Sequence, residues 1–139
     1  MRNDACLVFL LLLIFNLPVS AQERPKGSVS GHRHKGIQYG TASYYSNKFQ
    51  GRPTASGEPY DKNKMTCAHN SLPLGTWVKV TNLRNKRSVV VQVTDRLHHK
   101  NKRVVDLSGV AASKLGYLKR GLARVKVEVI EKNAISGNE

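Results

Sequence analysis

From residue 37 onward the chain alternates apolar and polar positions in short runs separated by turn residues. Over Thr76–Asn82, Val78 and Val80 fall on one face and Trp77, Lys79 and Thr81 on the other. Ser88–Thr94 repeats the pattern with Val89, Val91 and Val93, and the turn at Leu83–Arg87 joins the two runs as a β-hairpin. Gly121–Ile130 alternates most clearly: Val125, Val127 and Val129 oppose Arg124, Lys126 and Glu128. Ile37–Tyr45 is rich in strand-forming Thr and Tyr, with Gly40 marking a bulge. Met65–Ala68 and Val104–Leu107 read as two further short strands. One helix is predicted over Ser108–Leu115. Ser108 is its N-cap, Val110, Ala111, Ala112 and Leu115 its apolar side, and Gly116 its stop. Six short strands and one short helix predict an all-β fold, a small closed barrel, because closure removes exposed strand edges.

The first 36 residues fit no such pattern. Arg2 precedes an unbroken apolar run, Leu7–Phe15, and Val19-Ser20-Ala21 supplies small residues for a signal peptidase. Residues 1–21 therefore read as a secretory signal cleaved after Ala21. The run is too short to span a bilayer. Cys6 precedes it, unlike a lipoprotein cysteine, so the expected product is periplasmic or secreted, without a membrane anchor. Residues 22–36 read as a flexible basic leader, 37–131 as the barrel domain and 132–139 as a polar tail.

The formal net charge is +14, and Arg2 and Asp4 cancel within the signal segment, so export leaves it unchanged. Such a charge raises the question of nucleic acid, but export argues against that partner. Most of these cations read as solvated faces attracted to an anionic envelope. Cys67 is the one cysteine left after cleavage, so an internal disulfide is excluded. It reads as a small buried hydrophobe, with an intermolecular disulfide or reactive thiol as the alternative.

Among only nine acidic residues, Glu58, Asp61, Asp95 and Asp106 lie between Gly51 and Asp106. Glu58, His69 and Asp95 suit general acid/base work, each where a strand meets a loop. Cleaving a glycosidic bond needs a proton donor for the leaving oxygen, which a carboxylic acid supplies. The bland alternatives are an Asp95–Arg96 ion pair, a turn cap at Glu58 and a core hydrogen bond at His69. Asp106 reads as structural, near the N-terminus of the helix. His98 and His99 lie among cations and lack the acidic or thiol partners a zinc site needs; no metal or cofactor is expected.

Several separated motifs carry a family resemblance. They are Gly40-Thr41-Ala42-Ser43-Tyr44-Tyr45, Phe49-Gln50-Gly51-Arg52-Pro53-Thr54-Ala55-Ser56-Gly57-Glu58, Thr66-Cys67-Ala68-His69, Leu72-Pro73-Leu74-Gly75, Val93-Thr94-Asp95-Arg96 and Val105-Asp106-Leu107-Ser108. In this order the chain resembles the rare lipoprotein A family from about Tyr39 to Ile130. The resemblance implies a six-stranded double-psi β-barrel, shared with expansins. It implies a lytic transglycosylase acting on peptidoglycan glycan strands, cutting the β-1,4 bond after N-acetylmuramic acid and leaving a 1,6-anhydro end. By motif it makes Asp95 the acid/base and Glu58 and His69 its supporting residues. Thr54, Ser56 and Arg96 would bind substrate. A monomer is expected.

The chain departs from the pattern at Leu97-His98, where the family commonly has Gly-Pro, and at Cys67, where alanine is usual. It carries no lipidation cysteine and no room for a C-terminal wall-binding repeat, so a bare domain is expected. The rival reading is a non-catalytic, expansin-like glycan-binding module. A third is a secreted interaction protein, an effector or inhibitor.

Overall fold

The computed structural model describes residues 36–131. The signal segment, nearly all of the leader and the tail lie outside the described residues. The strands are β1 (Ile37–Tyr44), β2 (Thr66–Ala68), β3 (Trp77–Asn82), β4 (Ser88–Asp95), β5 (Val105–Leu107) and β6 (Ala123–Ile130), with helix α1 at Gly109–Leu115. They close in the order β1-β5-β2-β4-β3-β6. Two parallel pairs, β1 with β5 and β2 with β4, sit among four antiparallel ones. This is the double-psi β-barrel; β3, β4 and β6 were legible as alternation, β1, β2 and β5 as short strand-forming runs, and the psi topology only through the family resemblance.

Period-two patterning determines which side chains fill the barrel. Val78, Val80, Val91, Val93, Val105, Val125 and Val127 are all essentially inaccessible to solvent. Each valine so enclosed stabilises the fold by about 1.5–3 kcal/mol relative to exposure. Asn82 ends the Val78–Val80 stripe and is also buried. Its Nδ2 donates to the Leu115 carbonyl at 3.1 Å, and Asn85 Nδ2 donates to the same oxygen at 3.0 Å. Two amides of the β3–β4 turn thus satisfy an end carbonyl of α1 that the helix leaves unpaired. At the other end Ser108 Oγ accepts from Ala111 N. Gly116 closes the helix in the left-handed region at φ 81°. Val110, expected on the apolar side, is only half-buried; Ala111, Ala112 and Leu115 do the packing.

Gly40 is not a bulge. Its pairing with Val125 belongs to an unbroken register between β1 and β6. A side chain there would place Cβ 2.8 Å from Cβ of Val104, so glycine serves close approach. The irregularity lies between β2 and β4 instead: Cys67 pairs with Val93 but Ala68 pairs with Asp95, skipping Thr94. That shift sits at the C-terminal end of β4, and bulges of this kind redirect side chains.

The long connection Ser46–Lys64 is ordered. Asn47–Phe49 forms a 3-10 turn that the sequence pattern did not announce. Gly51 N donates to Tyr60 O and Tyr60 N to Arg52 O, at 2.8 and 2.7 Å, folding the rest into a narrow excursion. Pro53 and Pro59 face each other across it.

Candidate active site

Asp95 ends β4 and lines an open groove of about 710 Å³. Its Oδ1 accepts from Ala55 N at 2.9 Å and from its neighbour Arg96 N at 2.8 Å. Its Oδ2 accepts from the Tyr45 hydroxyl at 2.6 Å. A carboxylate oxygen has two lone-pair sites. Oδ1 is therefore saturated, and Oδ2 keeps one site open.

Tyr45 follows β1 and is fixed by its ring. It stacks on Tyr60 at 4.4 Å between centroids and meets Phe49 edge-on at 5.8 Å. The Tyr60 hydroxyl accepts from Gly109 N at 3.2 Å, which ties the aromatic group to the start of α1. Burial, and then the hydrogen bond to Asp95, push the Tyr45 phenol well above its ordinary range, so it remains a proton donor in that bond. Phe49 lines the groove, with Lys48 Nζ and Arg52 Cζ each 5.3 Å from its ring centre.

The Thr54–Glu58 turn is docked on the Asp95 strand. Ser56 N donates to Thr94 O at 3.0 Å, beside the Ala55 N bond to Asp95. Thr54 Oγ1 bonds Ser56 Oγ at 2.8 Å and Glu58 O at 2.7 Å, closing the turn on itself. Thr54, Ser56 and Glu58 thus come to the same end of the barrel as Asp95, but none of the three lines the groove. Glu58 is exposed.

His69 is buried, at 2% exposure, and its ring does not line the groove. Nδ1 accepts from Ser71 N and Leu72 N at 3.1 and 3.2 Å, so the ring proton sits on Nε2 and is directed at Gln38 Oε1, 3.1 Å away. Burial, aided by the Arg96 charge, pushes its pKa down to about 4. His69 touches Asp95 through the backbone: its N–H donates to the Asp95 carbonyl at 3.0 Å. Arg96 lines the groove and clamps the same segment, with Nη1 donating to the carbonyls of His69 and Leu72 at 2.6 and 2.7 Å. No Asp95–Arg96 side-chain ion pair forms.

Asp106, which also lines the groove, is held bidentately by Arg103, at 2.8 and 3.1 Å, and accepts from Ser43 Oγ. Its partners are thus on β1 and in the preceding loop rather than at the helix start. In the Leu97-His98 departure, Leu97 is buried and anchors the loop, while His98 stacks on His99 at 4.3 Å on its exposed side. Cys67 is free and buried, and burial raises its thiol pKa, which keeps it unreactive.

Sequence reasoning missed Tyr45, Phe49, Arg103 and the binding partners of Asp106. The aromatic pair Tyr44-Tyr45 looked like strand sequence, and its one signal was position at the end of β1.

A double-psi barrel whose β4 ends in a groove-lining aspartate is the class that fold and site define. The family model described as lytic transglycolase matches residues 37–127, and the chain belongs to that family. An endolytic peptidoglycan transglycosylase RlpA of Pseudomonas aeruginosa is 56% identical over 92 residues, covering 66% of this chain and 27% of that protein. The protein of the same name from Neisseria meningitidis is 47% identical over 93 residues, covering 67% and 39%. The chain thus spans only about a third of the length of these relatives. Among solved structures, apo Clavibacter michiganensis expansin superposes with a TM-score of 0.55 at 26% identity, covering 70% of this chain and 52% of that one.

Proposed function

We propose that this chain is an exported lytic transglycosylase domain that cuts peptidoglycan glycan strands between N-acetylmuramic acid and N-acetylglucosamine, with Asp95 as its acid/base. The carrying observation is the single open lone-pair site on Asp95 Oδ2 at the groove. In its acid form the carboxyl protonates the departing glycosidic oxygen as the C1–O bond breaks. The resulting carboxylate then removes the proton from the muramic 6-hydroxyl, whose oxygen closes on C1. No water is consumed, and the carboxyl ends as it began, so one acid is enough where hydrolysis uses two.

The other residues act around that proton. Tyr45 orients Oδ2. His69 N–H holds the Asp95 carbonyl, Arg96 clamps the His69–Leu72 segment beside it, and Glu58 on its exposed turn meets the sugar at the groove edge. Thr54 and Ser56 shape that turn. The names of the relatives, the N-terminal apolar run and the groove support this reading together. The expansin likeness and the Phe49 platform favour a second reading, a glycan-binding module without cleavage.

The test incubates protein beginning at Gln22 with purified glycan strands, with and without stem peptides, and analyses the ends by mass spectrometry. Anhydromuramyl ends that disappear in Asp95→Asn are expected. Reducing ends would mean hydrolysis and would sink the mechanism. Intact strands that co-sediment with the protein would establish the binding module.

A further inference from the structure

A second cavity, of about 610 Å³, shares no lining residue with the Asp95 groove. Three arginines line it, each exposed to solvent: Arg84 from the β3–β4 turn, Arg120 from the link after α1, and Arg124 from β6. None of them is in an ion pair with a described residue, where the ion pairs are Arg103–Asp106 and Lys126–Glu128. None of the acidic residues between 36 and 131 lines the cavity. Its framework is tied down by hydrogen bonds. The Asn82 and Asn85 amides pin the turn to Leu115 O, and Leu83 N donates to Arg124 O at 3.0 Å. Leu122 lines it as an exposed apolar residue, and Thr41 also forms part of the wall.

Three like-charged side chains around one concavity raise the local potential and favour an anion. Arginine's planar fork fits a phosphate bidentately. The volume falls in the range of small-ligand sites, with room for more than a bare ion. We propose that this cavity binds a phosphorylated sugar unit of an envelope polymer or glycolipid. The phosphate meets Arg84, Arg120 and Arg124, and the sugar's C–H face lies on Leu122. The source of the ligand rests on the export reading above, while the site itself is independent of the cleavage reaction. Bound this way, the protein is held on the anionic envelope with its Asp95 groove free.

The experiment titrates glucose 1-phosphate, and glucose as control, into protein beginning at Gln22. Calorimetry gives affinity and amide chemical shifts locate the site, at physiological salt. Saturable binding of the phosphate alone is expected, with shifts at Asn85, Leu122 and Arg124. Each single Arg→Gln change weakens it roughly tenfold, as loss of a charge-assisted hydrogen bond does. Leu122→Glu abolishes it by repulsion without touching the arginines. Poly(glycerol phosphate) and lipopolysaccharide are then used as competitors, and displacement by either supports the site and identifies the source. Equal binding of glucose, shifts confined to the Asp95 groove, or binding unchanged in all four variants would overturn it. So would a probe displaced by neither polymer, or displaced best by oligothymidine. The variants retain cleavage of glycan strands. Binding without cleavage in the wild type would remove the catalytic reading and leave this site standing; cleavage without binding would do the reverse.

Discussion

The Tyr45 hydroxyl donates to Asp95 Oδ2 across 2.6 Å, on the one carboxylate oxygen that has a lone pair left for substrate. The donor comes from the end of β1 and the acceptor from the end of β4, fifty residues apart. Tyr45→Phe keeps the ring stacked on Tyr60 and removes only this bond. A hydrogen bond to a charged group contributes about 1.5–3 kcal/mol. Glycan cleavage is therefore expected to fall about ten- to a hundredfold in kcat, with KM nearly unchanged. Release of anhydromuramyl ends followed over substrate concentration separates the two; an unaffected kcat would remove Tyr45 from the site.

His69 gives the fold an acid sensitivity. Its folded pKa is about 4, below the ordinary 6.5 of the unfolded chain, because burial opposes the charged ring. Between those values the unfolded chain binds a proton that the folded one does not. Stability from this residue is thus fully present above pH 6.5 and is lost as pH falls toward 4, about 1–2 kcal/mol in total once solvent screening is included. Urea unfolding at pH 7.5 and 5 measures the loss. His69→Asn, whose amide oxygen can still accept from Ser71 N and Leu72 N, is expected to flatten that dependence.

Arg96 is an exposed residue, yet its Nη1 donates to the carbonyls of both His69 and Leu72. Arg96→Ala leaves both without this donor beside the buried His69 and Leu72. A loss of about 1–3 kcal/mol is expected. Arg96→Lys restores less than the full amount, since an ammonium on a flexible stem is not held in the same plane. Thermal unfolding of the three proteins gives the order wild type, lysine, alanine.

Gly40→Ala sets Cβ against Val104, at 2.8 and 2.9 Å from its Cβ and Cγ1. Both neighbours are on strands or strand ends of a closed barrel, so relief requires β1 and β5 to part. Overpacking of this kind costs about 1–3 kcal/mol. The companion change Val104→Ala removes one of the two clashing atoms, so the double variant is expected to recover part of the loss in a double-variant cycle. Additive losses would mean the two sites are uncoupled.

The strands were legible because alternation is local: Val78–Val80, Val89–Val93 and Val125–Val127 each show a buried face within a few residues. The helix was legible for the same reason, through Ser108 and Gly116. The motifs carrying Glu58, His69 and Asp95 were equally visible, and the family they imply holds. What the chain alone left open was every relation between distant elements. Alternation gives each strand a face but not a neighbour, so the parallel β1–β5 and β2–β4 pairings, and the shift that sets Ala68 beside Asp95, emerge only on closure. For His69 the sequence left acid/base work and a core hydrogen bond both open, and packing turns its ring toward Gln38 and backbone donors. Tyr45 looks like an ordinary strand tyrosine, yet closure sets its hydroxyl on Asp95. Side-chain type is written in the sequence, but the partner that gives it a task is set by contacts made across the barrel.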